Sequence, residues 1–312
     1  MLEPLGSREP DSGADGAREA IWVLEDPRAG TANQALGIAE RLGAPFRRVP
    51  LRFGPLARLP WPWPTLAGLA DSTAFAPPWP RLVISAGRRA APVARWLRRR
   101  GARTVHCMRP GWGRDDFDML VLASHDKAGP SSNILEILGS THRVTPGALA
   151  AAPRLEPRPD VALLLGGPVR GLGLDPAWAL KIAKQAADLE GFLWVTTSRR
   201  TGAAAADAVA ATAGRLHRFG GDGPNPYLSL LAQARRLVVT ADSVSMLSEA
   251  LMSPAQLFIA VPEGLPPRHA ALVHGLFARG LAAPLGAPPA PPRAGLDETG
   301  RVADAIRARG WI

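Results

Sequence analysis

The sequence predicts an α/β protein of two similar halves, each a parallel sheet wrapped by helices, with a cleft between them. Three observations predict it. Short apolar runs alternate with helical patterns from end to end, the signature of βαβ units. The rhythm breaks at "TPGALAAAPRLEPRPD" and then restarts. The residues directly after the apolar runs are unusually polar and glycine-rich, and in open parallel sheets those are the positions that meet ligands.

The elements follow in order. Residues 1–19, "MLEPLGSREPDSGADGARE", are polar and lack an apolar h-region, so they read as a disordered tail and not a secretion signal. A first Rossmann-like domain is expected over 20–150, with strands at 20–25, 81–87, 103–108 and 118–124 and helices at 33–42 and 88–100. The Pro- and Trp-rich "PWPWPTLAGLADSTAFAPPWP" holds too many breakers for a regular element and reads as an insertion on the sheet rim. Residues 151–160 form the linker. A second domain over 161–290 has strands at 161–167, 192–198, 215–220, 235–241 and 256–261. Its helices are expected at 175–189, 203–213, 226–234, 243–252 and 268–279. After "APPAPPRAG", a last helix within 291–312 has room to return across the first domain.

Composition narrows the function classes. No run of 18 apolar residues exists, which argues against a spanning helix. The single Cys107 has no internal disulfide partner, in keeping with a reducing compartment, and a cytoplasmic protein is expected. The net charge of +10 comes almost wholly from arginine: all but Lys127, Lys181 and Lys184 of the 37 basic residues. The densest cluster, "RWLRRR", reads as a solvated helix end and not as a nucleic-acid patch, so no nucleic-acid partner is expected. Peripheral contact with anionic lipid, and hence a place at the inner face of the membrane, is left open.

The strand-end segments carry the chemistry. In "GGPVRG", Gly166 and Gly167 would let backbone amides approach a phosphate, although an ordinary turn explains them equally well. The segment has neither the Gly-Lys-Ser/Thr of a P-loop nor GxGxxG spacing, which argues against ATP hydrolysis and a Rossmann NAD site. "TTSRRT" places Ser198, Arg199, Arg200 and Thr201 before a helix start, offering forked donors suited to a diphosphate. In "VVTADSVSMLSEA", Asp242 or Ser243 caps a helix whose Val244, Leu247 and Leu251 face the core. Ser245 and Glu249 share another face, where a carboxylate is well placed to accept from sugar hydroxyls. The helix dipole favours an anion at the tip.

The strand-helix-strand "VVTADSVSMLSEALMSPAQLFIAV" resembles the nucleotide-sugar site of GT-B fold glycosyltransferases. More closely, "WVLEDPRAGTANQALGIAERLG", "SAGRRAAPVARWL", "SHDKAGPSSNILEILGSTHRV", "LLLGGP", "TTSRRT", "NPYLSLLAQA" and "VTADSVSMLSEA" together resemble the mitochondrial fission family named for elongated mitochondria. The resemblance implies a GT-B-like pair of Rossmann-like domains with parallel sheets facing a central cleft. By position it assigns the ribose to Glu249 and the diphosphate to Gly166, Gly167, Ser198, Arg199, Arg200 and Ser243. It assigns the acceptor side to Asp26, Gly30, Asn33, Gln34, Arg88, His125 and Asp126. One departure is Ser253, where related enzymes often place a glycine. The family's plant member acts as an adaptor for a dynamin-like GTPase, so membership does not require catalysis.

The resulting expectation is a glycosyltransferase that takes a nucleotide diphosphate sugar, a UDP-sugar by preference, as substrate and uses no cofactor. The acceptor is unidentified, with a lipid-linked one among the candidates. A nucleotide-sugar epimerase and a non-enzymatic adaptor are the alternatives. Asp26, His125 and Asp126 are the candidate general bases; "SHD" is no triad, because consecutive residues at a strand end point apart. "DFD" at residues 116–118 sits at a strand start and reads as surface, and no zinc spacing is present, so no metal is expected. Tyr227, the only tyrosine, is expected to pack and not to stack on a base.

Overall fold

The computed structural model describes residues 20–126, 129–168 and 173–312. The tail expected over 1–19 and the end of "GGPVRG" lie outside the described residues. The first half runs β1 (Ile21–Glu25), α1 (Ala29–Leu42), β2 (Phe46–Pro50), β3 (Leu82–Ala86), α2 (Ala91–Arg98), β4 (Arg103–Cys107), β5 (Met119–Ala123), β6 (Ile134–Ile137) and α3 (Pro146–Ala150). The second runs β7 (Val161–Leu165), α4 (Pro176–Ala187), β8 (Leu193–Thr197), α5 (Ala203–Ala210), β9 (Arg215–His217), α6 (Tyr227–Gln233), β10 (Arg236–Thr240), α7 (Val244–Leu251), β11 (Gln256–Ala260), α8 (Pro267–Ala278) and β12 (Ala283–Pro284), and α9 (Glu298–Arg307) follows.

Each half holds a six-stranded parallel sheet, ordered β2-β1-β3-β4-β5-β6 and β12-β11-β10-β7-β8-β9. Helices cover both faces, so the central strands are apolar along their length: "LVISA" and "VALLL" are buried at every residue. Strand order reverses between β1 and β3 in one sheet and between β7 and β10 in the other. Such switch points open a crevice beyond the carboxyl ends of the strands, and the strand-end segments flank both.

Four elements escaped the sequence reading: β2, β6, β12 and α3. The edge strand β2 carries Arg47 and Arg48, and its polar "FRRVP" hides the strand period. Arg48 pairs with Glu25 of β1 at 2.6 Å. The Pro/Trp segment forms no strand of its own beyond a bridge between Phe53 and Leu69. Its Phe75 and Trp79 pack edge-on against Trp22 of β1 and Trp96 of α2, with ring centroids 5.5–6.4 Å apart.

Helix α9 returns to the first sheet. Val302, Ala303 and Ile306 enter the same core as Ala35, Leu36 and Ile38 of α1. Asp297 caps α9 by accepting from the Gly300 amide and pairs with Arg41 of α1 at 2.7 Å. Glu298 accepts from the Leu138 amide at 2.9 Å, and Thr299 from that of His142 at 3.0 Å. On its other side α1 meets residues 138–144 so closely that a Cβ on Gly37 would lie 2.2 Å from the His142 carbonyl oxygen. No helix among the described residues is long and apolar enough to cross a membrane.

Two buried histidines make the fold acid-sensitive. Burial pushes His106 down to about 3 and His142 down to about 4. The unfolded chain takes up these protons near 6.5, so stability falls as pH drops below that value and continues to fall towards the folded-state values. The slope contributed is about 1.4 kcal/mol per pH unit for each histidine. Denaturant titrations across this window should show the loss, and His106→Gln should flatten it; an unchanged slope in the variant would refute the assignment.

Candidate active site

On the first sheet, buried Asp26 directly follows β1 and accepts from the Arg28 amide at 2.8 Å. Arg89, from the turn after β3, donates to both Asp26 carboxylate oxygens at 3.0 and 3.1 Å and lies over the Phe53 ring at 4.3 Å. After β5, residues 124–126 form a single tight turn. Buried Asp126 receives a two-pronged ion pair from Arg268 of α8, Nε to Oδ1 at 2.7 Å and Nη2 to Oδ2 at 2.9 Å. Arg109 donates to the Asp126 carbonyl. This pair joins the first sheet to the second.

Neither shielded ring nitrogen of His125 has a hydrogen-bond partner among the described residues. Burial pushes its pKa down, Asp126 opposes the shift, and Arg268 and His269 reinforce it. A neutral imidazole with a free lone pair results. Of the three candidate bases, His125 is therefore the one free to take a proton, since Asp26 and Asp126 have their oxygens committed to guanidinium groups.

These groups line a cavity of about 520 Å³ with Arg28, Thr31, Arg88 and Met108. A smaller one of about 130 Å³ lies between the sheets and takes in Gln34, His125, Ser140, Ser245 and His269. Gly30, in the first turn of α1, would place a Cβ 3.9 Å from Ser245 Oγ, so the N-terminal turns of α1 and α7 face each other. Asn33 is half-buried nearby and lines neither cavity.

The second sheet is more self-contained than the glycines suggested. The Gly166 amide donates to Thr240 Oγ1 at 2.8 Å and the Gly167 amide to Asp242 Oδ2 at 2.7 Å. A Cβ on Gly166 would sit 2.1 Å from Asp242, and one on Gly167 2.5 Å from Arg200. The glycines thus admit two side chains, and their amides point inward where the sequence reading aimed them at a phosphate. Arg200 reaches the Pro168 carbonyl at 2.7 Å and stands 3.7 Å from Asp242 Oδ2. Burial raises the Asp242 pKa, and its Oδ1 has no partner among the described residues.

Ser198 accepts from the Arg200 amide at 3.3 Å. The fully buried Thr201 hydroxyl accepts from the Ser198 amide at 2.8 Å and reaches the Leu165 carbonyl at 2.9 Å, tying the ends of β7 and β8 together. That placement makes Thr201 a brace. Arg199 is exposed, and no described residue pairs with it.

The polar start of α7 now divides by role. Ser243 caps the helix by accepting from the Met246 amide at 3.4 Å. Ser248 accepts from the Ser140 amide at 2.9 Å and donates to the Val244 carbonyl at 2.7 Å, bracing the two halves. Ser245 faces the cleft. Glu249 accepts a 2.5 Å hydrogen bond from the Tyr227 hydroxyl. Burial pushes this carboxyl up to about 7, against the opposing effect of that bond.

Sequence reasoning missed Arg89, Arg109, Arg268, His269 and Tyr227 as members of the constellation. Arg268 and His269 begin the helix after β11, so extending the strand-end rule to that strand finds them. Tyr227 and Glu249 lie on different helices, and no local pattern announces their contact. The "DFD" carboxylates are held structurally: Asp116 by Arg95, and Asp118 by Arg98, Arg103 and the Thr104 amide.

Glycosyltransferases are among the solved structures that share this arrangement. The chain superposes on MurG of Acinetobacter baumannii with a TM-score of 0.50 at 14% identity, covering 94% of this chain and 90% of that one. With the spinosyn forosaminyltransferase SpnP the TM-score is 0.53 at 13% identity and the same coverage. Identities this low establish the fold, GT-B, with two Rossmann-like domains facing a cleft. In sequence the chain is 25% identical to an uncharacterised protein of Rickettsia prowazekii (strain Madrid E), over 82% of this chain and 86% of that one. It is 24% identical to the mitochondrial fission protein ELM1 of Arabidopsis thaliana over 58% of this chain, a match spanning 51% of the plant protein. Over residues 29–310 it matches the family described as Mitochondrial fission ELM1, and the protein belongs to that family.

Proposed function

We propose that the protein binds a nucleoside diphosphate sugar in its cleft and transfers the sugar to an acceptor held by the first domain. One observation carries this reading: His125, a neutral imidazole with both nitrogens free, lines the two adjoining cavities together with Arg268 of the opposite half. In the reaction an acceptor hydroxyl gives its proton to His125 and its oxygen bonds to the anomeric carbon. The bond from that carbon to the diphosphate breaks, and the nucleoside diphosphate leaves with the electron pair. Arg199, Arg200 and the Ser243-capped end of α7 stabilise the departing charge. Glu249 accepts from the ribose hydroxyls once Tyr227 yields its bond. Asp242, Ser198 and Thr201 hold Arg200 and its turn in place.

The internal commitment of the Gly166 and Gly167 amides and of Glu249 favours a second reading, a protein that recruits a partner on a retained GT-B scaffold. An epimerase would share the donor contacts and differ only in product. Calorimetry with UDP, GDP, CDP and their sugars decides first between binding and no binding. At about pH 8, where Glu249 is ionised, one nucleotide family should bind, about tenfold or more weakly in Glu249→Gln, where a charged acceptor becomes a neutral one. Absence of binding to any of them would overturn the transferase and leave the recruiting protein.

A further inference from the structure

The larger cavity carries more positive charge than its own carboxylates neutralise. Five guanidinium groups line it, Arg28, Arg88, Arg89, Arg109 and Arg268, against Asp26 and Asp126 alone. Arg89 and Arg268 are spent on those two acids. Arg109 meets a carbonyl, and the side chains of Arg28 and Arg88 reach no acceptor among the described residues. An excess of three positive charges in a concave site focuses the field on whatever enters. It matches a terminal phosphate, with a charge of about −1.5 to −2 at neutral pH, better than a singly charged diester.

Beside this cavity, and sharing Arg88 and Arg89 with it, lies a groove of about 110 Å³ whose lining joins Leu59, Pro60, Trp61 and Trp112 to a third arginine, Arg95, which is paired with Asp116. Arg88 stands between the two, its stem 3.4 Å from where a Cβ on Gly111 would be. At the groove's rim Leu56, Leu59, Trp63 and Trp112 are 49%, 50%, 54% and 61% exposed. Trp61 links them: it donates to the Leu56 carbonyl, meets Trp63 edge-on at 5.7 Å and lines the groove together with Leu59 and Trp112. Arg58 is exposed on the same turn. A soluble phosphate would use the cavity and leave this shelf in water, whereas hydrocarbon explains the shelf, and tryptophan beside arginine is the composition that sits at a lipid interface.

We infer that the ligand of the first domain is a phosphorylated lipid, its terminal phosphate in the arginine cavity and its hydrocarbon along the Trp61–Trp112 groove. This rests on the reading of that domain as the acceptor side. The full chain is sedimented with vesicles of phosphatidylcholine alone, or doped with phosphatidic acid or, at matched surface charge, with phosphatidylserine. Binding should require phosphatidic acid and fall about tenfold or more in Arg88→Gln. Trp63→Ser/Trp112→Ser should lose vesicle binding to a similar degree, about tenfold, yet keep calorimetric affinity for soluble glycerol 3-phosphate. Equal binding to phosphatidylserine vesicles, or indifference to either set of substitutions, would overturn the inference. The assay contains no nucleotide sugar, so a failed donor reading leaves its result intact, and retained donor binding in a lipid-negative protein would sink the lipid alone.

Discussion

Glu249→Gln is expected to melt at a higher temperature than the wild type at about pH 8 and at the same temperature at about pH 4. Burial lifts the folded-state carboxyl from 4.5 to about 7. Between those values the folded chain keeps a proton that the unfolded chain has released, so wild-type stability falls as pH rises through the window. Above it the group is ionised in both states, and the folded state carries a penalty of about 3 kcal/mol. Glutamine retains an acceptor for the Tyr227 hydroxyl and never ionises, so the penalty disappears and the melting temperature rises by roughly 5 °C. The same change weakens nucleotide binding in the proposed function. A more stable protein that binds less well is the signature of a residue kept for function at the expense of stability. Differential scanning calorimetry at the two pH values checks it, and an equal or lower midpoint at the higher pH would show that Glu249 is a structural acid.

Gly37→Ala is expected to destabilise the protein by about 3 kcal/mol or more, although alanine is the better helix former. Propensity alone would favour the variant by about 1 kcal/mol. The new methyl would lie 2.2 Å from the His142 carbonyl oxygen and 2.5 Å from its carbon, both backbone atoms with no rotamer to change. Relief requires α1 to move away from residues 138–144. That segment carries the Ser140 contact to Ser248 and the His142 contact to Thr299, so the displacement would loosen the cleft as well. Urea denaturation measures the sign: increased stability would mean that α1 shifts freely.

Much of the fold was legible because buried parallel strands are apolar at every position and announce themselves as runs. Edge strands lack that requirement, which is why β2, with its two arginines, left no trace. For the candidate site, the strand-end rule singled out Asp26, Arg88, His125, Arg200 and Asp242; the first three line the larger cavity, and the last two stand together at the end of the second sheet, since topology fixes where such residues gather. Partner choice was not legible. Nothing near Asp126 signals an arginine 142 residues later, and nothing near Glu249 signals Tyr227 on the preceding helix. The direction of the Gly166 and Gly167 amides depends on the positions of Thr240 and Asp242, which only the assembled sheet determines.

The return of α9 to α1 sets the order in which the protein is completed. A ribosome delivers the β1–β6 half first, yet Val302, Ala303 and Ile306, which finish its core, emerge only after the whole β7–β12 half. Until then the nascent first half presents the α1 face that these residues cover, an apolar surface for chaperones to hold. The half that is translated first is therefore the last to close, and its final packing step waits for the other half to be made.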